Sequence, residues 1–292
     1  MTLSKKYLCT VALALLGAVA FPSCKGDGEK DQPTPPPAEE RALISTLTVK
    51  GTSEDRNSNE SEYFCEYQYS YDEAGRVSFV AVRGDGYREY YFIYGDGMMT
   101  FDVISKNRIL SYEFLTDANG YIVGNETDGN DISASHDAEG HLLQLLWEDH
   151  GTYTLKWKGD LLSEALCRHD YYDESMTTSF VYSKTMNPAG FGIGIIYGLL
   201  GGALSGDYSF PLRMWLGKEP ACLPSKVINH IAYRSSKQYS KEIITTFDAT
   251  PDAKGRPVKI IGTQASYEYD QYKGKNPLPD GKAVFTYEIT YK

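Results

Sequence analysis

The stretch YSYDEAGRV (Tyr69–Val77) contains the signal that decides the fold of this chain. It places two carboxylates beside an arginine, an arrangement that catalytic sites also use. The same Asp-x-x-Gly spacing recurs after three later alternating runs, at Asp117–Gly120, Asp137–Gly140 and Asp252–Gly255. An Asp that opens a type I turn accepts hydrogen bonds from the following backbone, and a Gly at the fourth position supplies the left-handed conformation that closes a hairpin. Because an active site is singular whereas this chemistry repeats, we assign the quoted stretch to an exposed hairpin tip.

The spacing of the turn glycines predicts one strand–turn–strand unit per period. Gly95-Asp96-Gly97 and Lys158-Gly159-Asp160 supply further turn signals between the Asp-x-x-Gly turns. Gly75, Gly97, Gly120, Gly140 and Gly159 are 22, 23, 20 and 19 residues apart. Such a period is typical of repeated hairpins.

The residues between the turns alternate as half-buried strands do. Tyr63, Cys65, Tyr67, Tyr69 and Tyr71 fall on one face of the first run. The 24 tyrosines are suited to a sheet, on which they pack their rings and keep their hydroxyls in water. We predict an all-β, antiparallel up-and-down meander of roughly a dozen hairpin-connected strands. A sheet of that length curls into an open barrel or closes to hide its edges.

One segment breaks the alternation. NPAGFGIGIIYGLLGGALSGD (Asn187–Asp207) is an apolar, glycine-rich run. Its glycines do not have the spacing of a dinucleotide loop, and the run is short and Gly-rich for a transmembrane helix. We predict an internal helical insert over about residues 188–220, buried inside the curved sheet. A fully packed barrel and a barrel with a pocket at its mouth both fit this prediction.

The N-terminus has the features of a lipoprotein signal peptide. Lys5 and Lys6 precede an apolar stretch, and a small residue stands directly before Cys24. We predict removal of residues 1–23 and lipidation of Cys24, with cleavage after Ala20 as the alternative. Residues 24–41 are charged and Pro-rich, which predicts a disordered tether. Residues 42–292 then form a single β-barrel-like domain.

Charge and the tether restrict the partners and the location. Removal of residues 1–23 discards two lysines and no acid, so the formal net charge changes from −10 to −12. This argues against nucleic acid and against an anionic membrane surface, which need clustered basic residues. The charged residues after Cys24 resemble the export signal of Bacteroidetes surface lipoproteins. The resemblance implies an outer-membrane lipoprotein at the cell surface, with the periplasmic face as the alternative.

Three cysteines remain in the predicted domain, and their number excludes a full disulfide framework. Cys65, Cys167 and Cys222 show no zinc-ligand spacing, so we predict neither a metal site nor a cofactor. Cys65 alternates with tyrosines and is expected to be a buried, inert thiol. One bridge between two of the three is chemically reasonable in an oxidising compartment, and the sequence does not select the pair.

Several short motifs have two interpretations, and in each case we favour ordinary sheet and turn structure. Arg83-Gly84-Asp85 matches an adhesion tripeptide but is also turn chemistry. His136 and His141 flank one turn without an evident third metal ligand. Cys167 and His169 share a strand face without an orienting group. The aromatic residues that could stack on sugar rings are Tyr171, Tyr172, Trp147 and Trp157.

The order of these features resembles a known family. The cysteine before the tether, YSYDEAGRV, TFDATPDAKGRPVKI, the apolar insert and WLGKEPACLPSKV (Trp215–Val227) together resemble Bacteroidetes lipoproteins of domain-of-unknown-function family 4595, which have a porin-like fold. The hairpins also resemble the longer and stricter YD repeats of Rhs-type proteins. The family resemblance implies a barrel and surface or outer-membrane placement, and it implies no catalytic residues. A true membrane porin is disfavoured, because charged residues interrupt both faces of many strands.

The sequence therefore favours a non-catalytic binding module for a glycan or other small ligand. The alternative is a structural or adhesion-like protein that contacts a partner chain and has a packed, ligand-free core. No acid–base pair, metal cluster or nucleophile elbow supports an enzyme.

Overall fold

The computed structural model describes eleven stretches of the chain. They are residues 42–54, 60–84, 87–106, 108–125, 132–147, 151–168, 174–187, 217–233, 239–270, 274–277 and 282–292. The predicted signal peptide, Cys24 and the tether lie outside these residues. So do Asp85, residues 169–173, and all of the predicted insert before residue 217.

Every regular element in the described residues is a β-strand. The strands are β1 (Ile44–Glu54), β2 (Glu60–Tyr71), β3 (Val77–Arg83), β4 (Arg88–Tyr94), β5 (Met98–Ser105), β6 (Arg108–Thr116), β7 (Ile122–Asn125), β8 (Ile132–His136), β9 (Leu142–Trp147), β10 (Gly151–Lys158), β11 (Leu161–Arg168), β12 (Glu174–Met186), β13 (Cys222–Tyr233), β14 (Tyr239–Pro251), β15 (Pro257–Asp270), β16 (Gly274–Pro277) and β17 (Ala283–Tyr291).

The strands form one closed antiparallel barrel. Strands β1 to β15 pair in sequence order, β15 pairs with β17, and β17 pairs with β1. This ring has sixteen strands, while β16 is a short addition to the last part of β15. The predicted up-and-down meander is confirmed, with more strands than the dozen expected. The first and last strands join over residues 44–53 and 283–291, so the barrel has no open edge there.

All four Asp-x-x-Gly turns lie at the same end of the barrel. We call this the corner end; there β1 begins, each even-numbered strand up to β14 is connected to the next strand, and β17 ends. The other end is called the far end. The chain termini of the domain meet at the corner end, where the Lys292 N–H donates to the Leu43 carbonyl at 2.9 Å.

Each Asp-x-x-Gly turn has the same five-residue geometry, which we call an Asp corner. The Asp N–H donates to the carbonyl of the residue four positions later, and the Gly N–H donates to the Asp carbonyl at 3.0–3.1 Å. The Asp Oδ1 accepts the N–H of that fourth residue at 2.8–2.9 Å. The turn glycines have φ between 75° and 88°, which only glycine adopts without strain. The Asp72–Arg76 pair of the quoted stretch therefore stabilises a turn, as predicted.

Aromatic side chains link neighbouring hairpins where the chain does not join them. At the corner end, each of these side chains donates a hydrogen bond to a main-chain carbonyl near the start of the adjacent, earlier strand. We call these contacts aromatic braces. They are Tyr71 to Ile44 at 2.8 Å, Tyr94 to Val77 at 2.7 Å, Trp157 to Leu142 at 2.8 Å, Tyr182 to Leu162 at 2.9 Å, and Tyr291 to Pro257 at 2.8 Å. The expectation that tyrosine hydroxyls stay in water is wrong for these four tyrosines, because a carbonyl replaces the water.

The Asp corners and the aromatic braces are coupled. The guanidinium of Arg76 lies 4.2 Å from the ring centre of Tyr94, and that of Arg256 lies 4.4 Å from the ring centre of Tyr291. Each arginine is thus held by an ion pair with the Asp of its own corner, and its guanidinium lies over the tyrosine ring of a neighbouring aromatic brace. Burial raises the pKa of the Tyr291 hydroxyl to about 12, which keeps it a hydrogen-bond donor.

The inner face of the barrel is apolar. Met99, Phe101 and Leu162 are fully buried. Opposing residues across the ladders share this face, as Leu47 and Tyr67 do. The predicted common face of the Tyr63–Tyr71 run is confirmed by this register, with Cys65 and Tyr67 buried. Burial of this face supplies the main favourable contribution to folding.

The outer face of β1 is polar, whereas exposed apolar side chains such as Ile93 and Ile109 lie on the outer face of other strands. On β1 the outer face carries Thr46, Thr48 and Lys50, and the last of these pairs with Glu288 of β17 at 2.9 Å. The expectation that disfavours a membrane porin stays a prediction.

The predicted helical insert is described only at its C-terminal end. Residues 217–220 are irregular and lead directly into β13, so this part of the prediction is wrong, and the rest lies outside the described residues. In the part of the chain that the structure describes, no helix has the length and apolar character needed to cross a membrane.

The Asp corners provide the first test. Asp252→Ala removes the acceptor of two backbone N–H groups and of Arg256. We expect the free energy of unfolding to fall by about 1–2 kcal/mol, as for the loss of a helix-capping carboxylate. Urea denaturation of both proteins measures it.

Lys254→Ala is the matched control, because the Lys254 side chain is exposed at the same turn. It should change the free energy of unfolding by less than about 0.5 kcal/mol. Equal effects of the two substitutions would show that the carboxylate does not hold the corner.

Candidate functional site

The barrel wall has an opening between β13 and β14 at the corner end. Their ladder runs from Ala232–Ser240 to Lys226–Thr246 and then stops. Beyond that point β13 stays with β12, while Phe247 and the following residues of β14 stay with β15. The β12–β13 pair and the β14–β15 pair therefore separate at this end. Among the described residues, no aromatic brace joins them.

A cleft of about 220 Å³ occupies this opening, and we call it the wall cleft. Its apolar floor is formed by inner-face side chains, and hydroxyl groups and one carboxylate form its polar rim. The lining residues are Ser183, Thr185, Leu223, Pro224, Ser225, Phe247, Asp248, Ala249 and Ile260. The volume lies below the roughly 300–1,000 Å³ of drug-sized sites, so the cleft suits one ring-sized group.

The rim of the wall cleft is partly fixed by hydrogen bonds. The Ser183 hydroxyl donates to the Leu223 carbonyl at 2.8 Å, and the Ser225 hydroxyl donates to the Val181 carbonyl at 3.1 Å. The Ser225 hydroxyl oxygen can still accept a hydrogen bond from a ligand, whereas that of Ser183 already accepts the Thr185 N–H at 3.1 Å. Asp248 is exposed on the outer side of the rim, and no ion pair to it occurs in the described stretches.

A glycine positions the aromatic floor. A Cβ at Gly262 would lie 3.2 Å from the ring of Phe247 and 3.5 Å from the ring of Phe285. The absent side chain therefore lets both rings lie against the backbone of β15. This contact presents Phe247 to the cleft.

The Asp corner of residues 137–141 is a second cluster of functional side chains. His141 is buried, its Nδ1 lies 2.9 Å from Asp137 Oδ2, and its Nε2 lies 3.2 Å from Asp160 Oδ1. Lys218 contacts the same Asp160 oxygen at 2.6 Å. The His141 ring stacks on Trp157 with 4.4 Å between ring centres. Both ring nitrogens can donate at once only in the imidazolium form.

This cluster fastens the residues before β13 to the barrel. The Lys218 N–H donates to the Gly140 carbonyl at 2.8 Å, and the Ala221 N–H donates to the Asp160 carbonyl at 3.0 Å. Burial opposes ionisation of Asp160, but the contacts with Lys218 and His141 outweigh it and lower its pKa. The pKa of Asp137 is lowered in the same way, with burial opposed mainly by the backbone and ring of His141.

Asp137, Glu139 and His141 bring their ligand atoms within 4.8 Å of one another, as metal ligands do. Both nitrogens of His141 already face carboxylates, however, and the Lys218 ammonium lies at the Asp160 end of the cluster. A further cation there would meet an existing positive charge. The arrangement is therefore better explained as a structural ion-pair network than as a metal site.

Glu219 lies beside this network with one carboxylate oxygen buried. Its Oε2 has no hydrogen-bond partner, and burial raises its pKa from 4.5 to about 8. The carboxyl group is therefore harder to ionise than that of an exposed glutamate. Its nearness also contributes to the raised pKa of Tyr182, for which burial is the main cause.

Most of the short motifs considered from the sequence belong to the fold. Trp147 is only 1% exposed, and Trp157 forms an aromatic brace, so neither ring can stack on a sugar. Cys167 is buried against the Tyr153 hydroxyl, and His169 lies outside the described residues. The rings of His136 and Tyr121 stack with 5.5 Å between their centres.

The cysteine prediction is resolved in part. Cys65 and Cys167 are buried thiols that form no disulfide, which confirms the interpretation of Cys65 and excludes a bridge between any two of the three cysteines considered.

The wall cleft and Glu219 were missed by the sequence analysis. For the cleft the sequence has no local signal: Pro251 precedes Asp252, but Thr116 and His136 likewise stand before Asp117 and Asp137 where the first corner has Tyr71. For Glu219 the sequence has no such signal, because its burial depends on the chain segments around it.

Comparison with known proteins supports the fold. No protein-family model matches the chain, and no curated protein matches its sequence. A porin-like protein from Bacteroides uniformis ATCC 8492 shares the fold with a TM-score of 0.59 and 12% identity, over 85% of this chain and 98% of the other. A porin-like protein from Bacteroides vulgatus ATCC 8482 aligns with a TM-score of 0.46 and 11% identity, over 86% and 99%.

The first of these likenesses bears out the porin-like fold that the family resemblance implied. It concerns the fold alone, because the identity is low. Membership of family 4595 stays a prediction.

Glu219 gives a pH-dependent prediction. Its pKa is raised in the folded protein, so the unfolded chain loses this proton first as the pH rises from about 4.5 to about 8. The loss in free energy of unfolding caused by the raised pKa is absent below this pH window and grows as the pH rises through it. Glu219→Gln should therefore become progressively more stable than the wild type as the pH rises, as measured by urea denaturation at each pH.

Glu73→Gln serves as the control because Glu73 is exposed at a turn. Its stability relative to the wild type should stay constant over the same window. A constant difference for Glu219→Gln as well would contradict the burial of this carboxyl group.

Proposed function

We propose that this chain is a non-catalytic binding module that holds a small ligand, with a glycan as the best candidate, in the wall cleft. The observation that carries the proposal is the combination of an apolar, aromatic floor and a polar rim in one opening of the barrel wall. Sugar rings have both an apolar face and hydroxyl edges. Phe247 can stack on the first, and Ser225 and Asp248 can bind the second.

The chemistry of the wall cleft favours binding over catalysis. Glycoside hydrolysis uses a pair of carboxyl groups that flank the scissile bond. Asp248 is the only titratable side chain among the nine lining residues. The formal net charge of −10 also opposes anionic ligands.

The location in the proposal comes from the sequence. Cys24 would carry the lipid, and the tether would hold the barrel at the outer membrane with its outer face in water. The export-like charges after Cys24 favour the cell surface. A porin-like fold is compatible with this placement.

A structural protein with a packed core is the second candidate function. The burial of Met99, Phe101 and Leu162 favours it, because these side chains fill the inner face without a ligand. In that case the outer face or the hairpin tips would contact a partner chain.

A thermal-shift screen of the full chain in detergent tests the binding proposal. The panel contains neutral oligosaccharides, bile acids, haem, fatty acids and divalent ions. A ligand at 100 times its Kd should add about 2.7 kcal/mol and raise the Tm in proportion to its concentration. A flat result across the panel would favour the packed-core candidate.

Variants assign the binding to the wall cleft. Asp248→Asn and Phe247→Ala should each reduce the shift, whereas Asp96→Asn, at an exposed turn between β4 and β5, should leave it unchanged. A ligand whose shift survives both cleft substitutions binds elsewhere.

Radioactive palmitate labelling tests the anchor. Cells that express the wild type should incorporate the label into the chain, and Cys24→Ser should abolish it. Label retained in the variant would contradict lipidation at this cysteine.

A further inference from the structure

The outer face of β4 carries two tyrosines that share one carboxylate. Tyr87, Glu89 and Tyr91 are two residues apart, so they project from the same face of the strand. The Tyr87 hydroxyl donates to Glu89 Oε1, and the Tyr91 hydroxyl donates to Glu89 Oε2 at 2.9 Å. Both rings remain accessible, with Tyr87 48% and Tyr91 39% exposed. We call these three residues the tyrosine platform.

Neighbouring strands extend the platform. Phe79 of β3 is paired with Tyr91, and their ring centres are 4.9 Å apart. Ala81 is paired with Glu89 and is buried beneath its neighbours on this face. On the other side Asp102 of β5 is paired with Tyr91 and adds a second carboxylate, which accepts the Ser111 hydroxyl at 2.5 Å.

The charge of the platform is negative at neutral pH. The hydrogen bond from Tyr87 and then that from Tyr91 lower the pKa of Glu89, so the carboxylate is ionised. The same bonds raise the pKa of both tyrosines, so their hydroxyls stay protonated and the rings stay neutral. Arg83 is the cation that influences Tyr87, and it forms no ion pair with Glu89 in the described residues.

The same chain shows what such a group of side chains binds. On another part of the outer face, Glu242, Tyr267 and Tyr269 surround the ammonium of Lys275. Its Nζ lies 4.1 Å from the ring centre of Tyr267 and 5.5 Å from that of Tyr269, and it pairs with Glu242. The hydrogen bond to Glu242 is the main cause of the raised pKa of Lys275.

We propose that the tyrosine platform is a binding site for an ammonium group that a ligand or partner brings to it. The chemistry is the one that Lys275 satisfies within the chain: exposed tyrosine rings attract a cation over their faces, and an adjacent carboxylate neutralises its charge. The ammonium can belong to a small amine or to a lysine of a partner protein. The site is separate from the wall cleft and does not depend on the proposed function.

Titration with choline tests the platform. Tyrosine signals of the full chain, observed by NMR, should shift with choline but not with its neutral isostere 3,3-dimethylbutan-1-ol. Glu89→Gln and Tyr91→Leu should each weaken choline binding about fivefold, the effect of one exposed cation–aromatic or ion-pair contact. Equal shifts with the neutral isostere, or unchanged affinity in both variants, would overturn the proposal.

Lys275→Ala is the sharper test, because it removes the ammonium from the second group and keeps Glu242, Tyr267 and Tyr269. The number of choline sites should rise from one in the wild type to two in the variant. A count that stays at one would show that the group around Lys275 and the tyrosine platform do not bind the same cation, which contradicts the proposal.

A blocked lysine amide and its norleucine counterpart identify the source of the ammonium. Binding of the lysine amide at least as tight as that of choline favours a partner protein, whereas tighter binding of choline favours a small amine. Binding of neither cation would overturn the proposal.

Discussion

The barrel depends on one constraint: strands that the chain joins only at the far end must also be held together at the corner end. Aromatic braces satisfy it at five places, each by a hydrogen bond from a ring to a main-chain carbonyl of the neighbouring strand. A carbonyl exposed by diverging strands would otherwise need water or remain unpaired. At two of these places the arginine of an Asp corner, Arg76 or Arg256, covers the ring and is fixed by its own Asp. There the turn, the cation and the ring form one unit.

The antiparallel meander could be predicted because its determinants are local. An Asp and a Gly three residues apart specify a turn, and alternation specifies which face is buried. Closure of the ring could not be predicted in the same way. It depends on the pairing of β1 with β17, whose partners Leu47 and Ile289 are far apart in the sequence. The number of strands was underestimated because short strands such as β7 give little periodicity to read.

The sites were harder to predict than the fold, because they arise where the repeating unit changes. The wall cleft lies where the ladder between β13 and β14 stops at Lys226–Thr246 and the two strands separate. The network around His141 is an Asp corner in which a second carboxylate, Asp160, occupies the other ring nitrogen. From the sequence, His141 could be placed at a turn, but Asp160 and Lys218 could not be placed beside it. Their contacts join three separate connections of the chain.

These exceptions also separate structural chemistry from chemistry that is available to a ligand. In a regular corner the carboxylate and the cation already satisfy each other, as Asp252 and Arg256 do at 2.7 Å. Such a pair gains little from a ligand, because binding would first have to break the pair. Asp248 at the rim of the wall cleft and Glu89 on the outer face keep acceptor capacity that no cation of the described residues occupies. A ligand that supplies a donor or a cation gains the full interaction there, so binding is expected at the departures from the repeat and not at its corners.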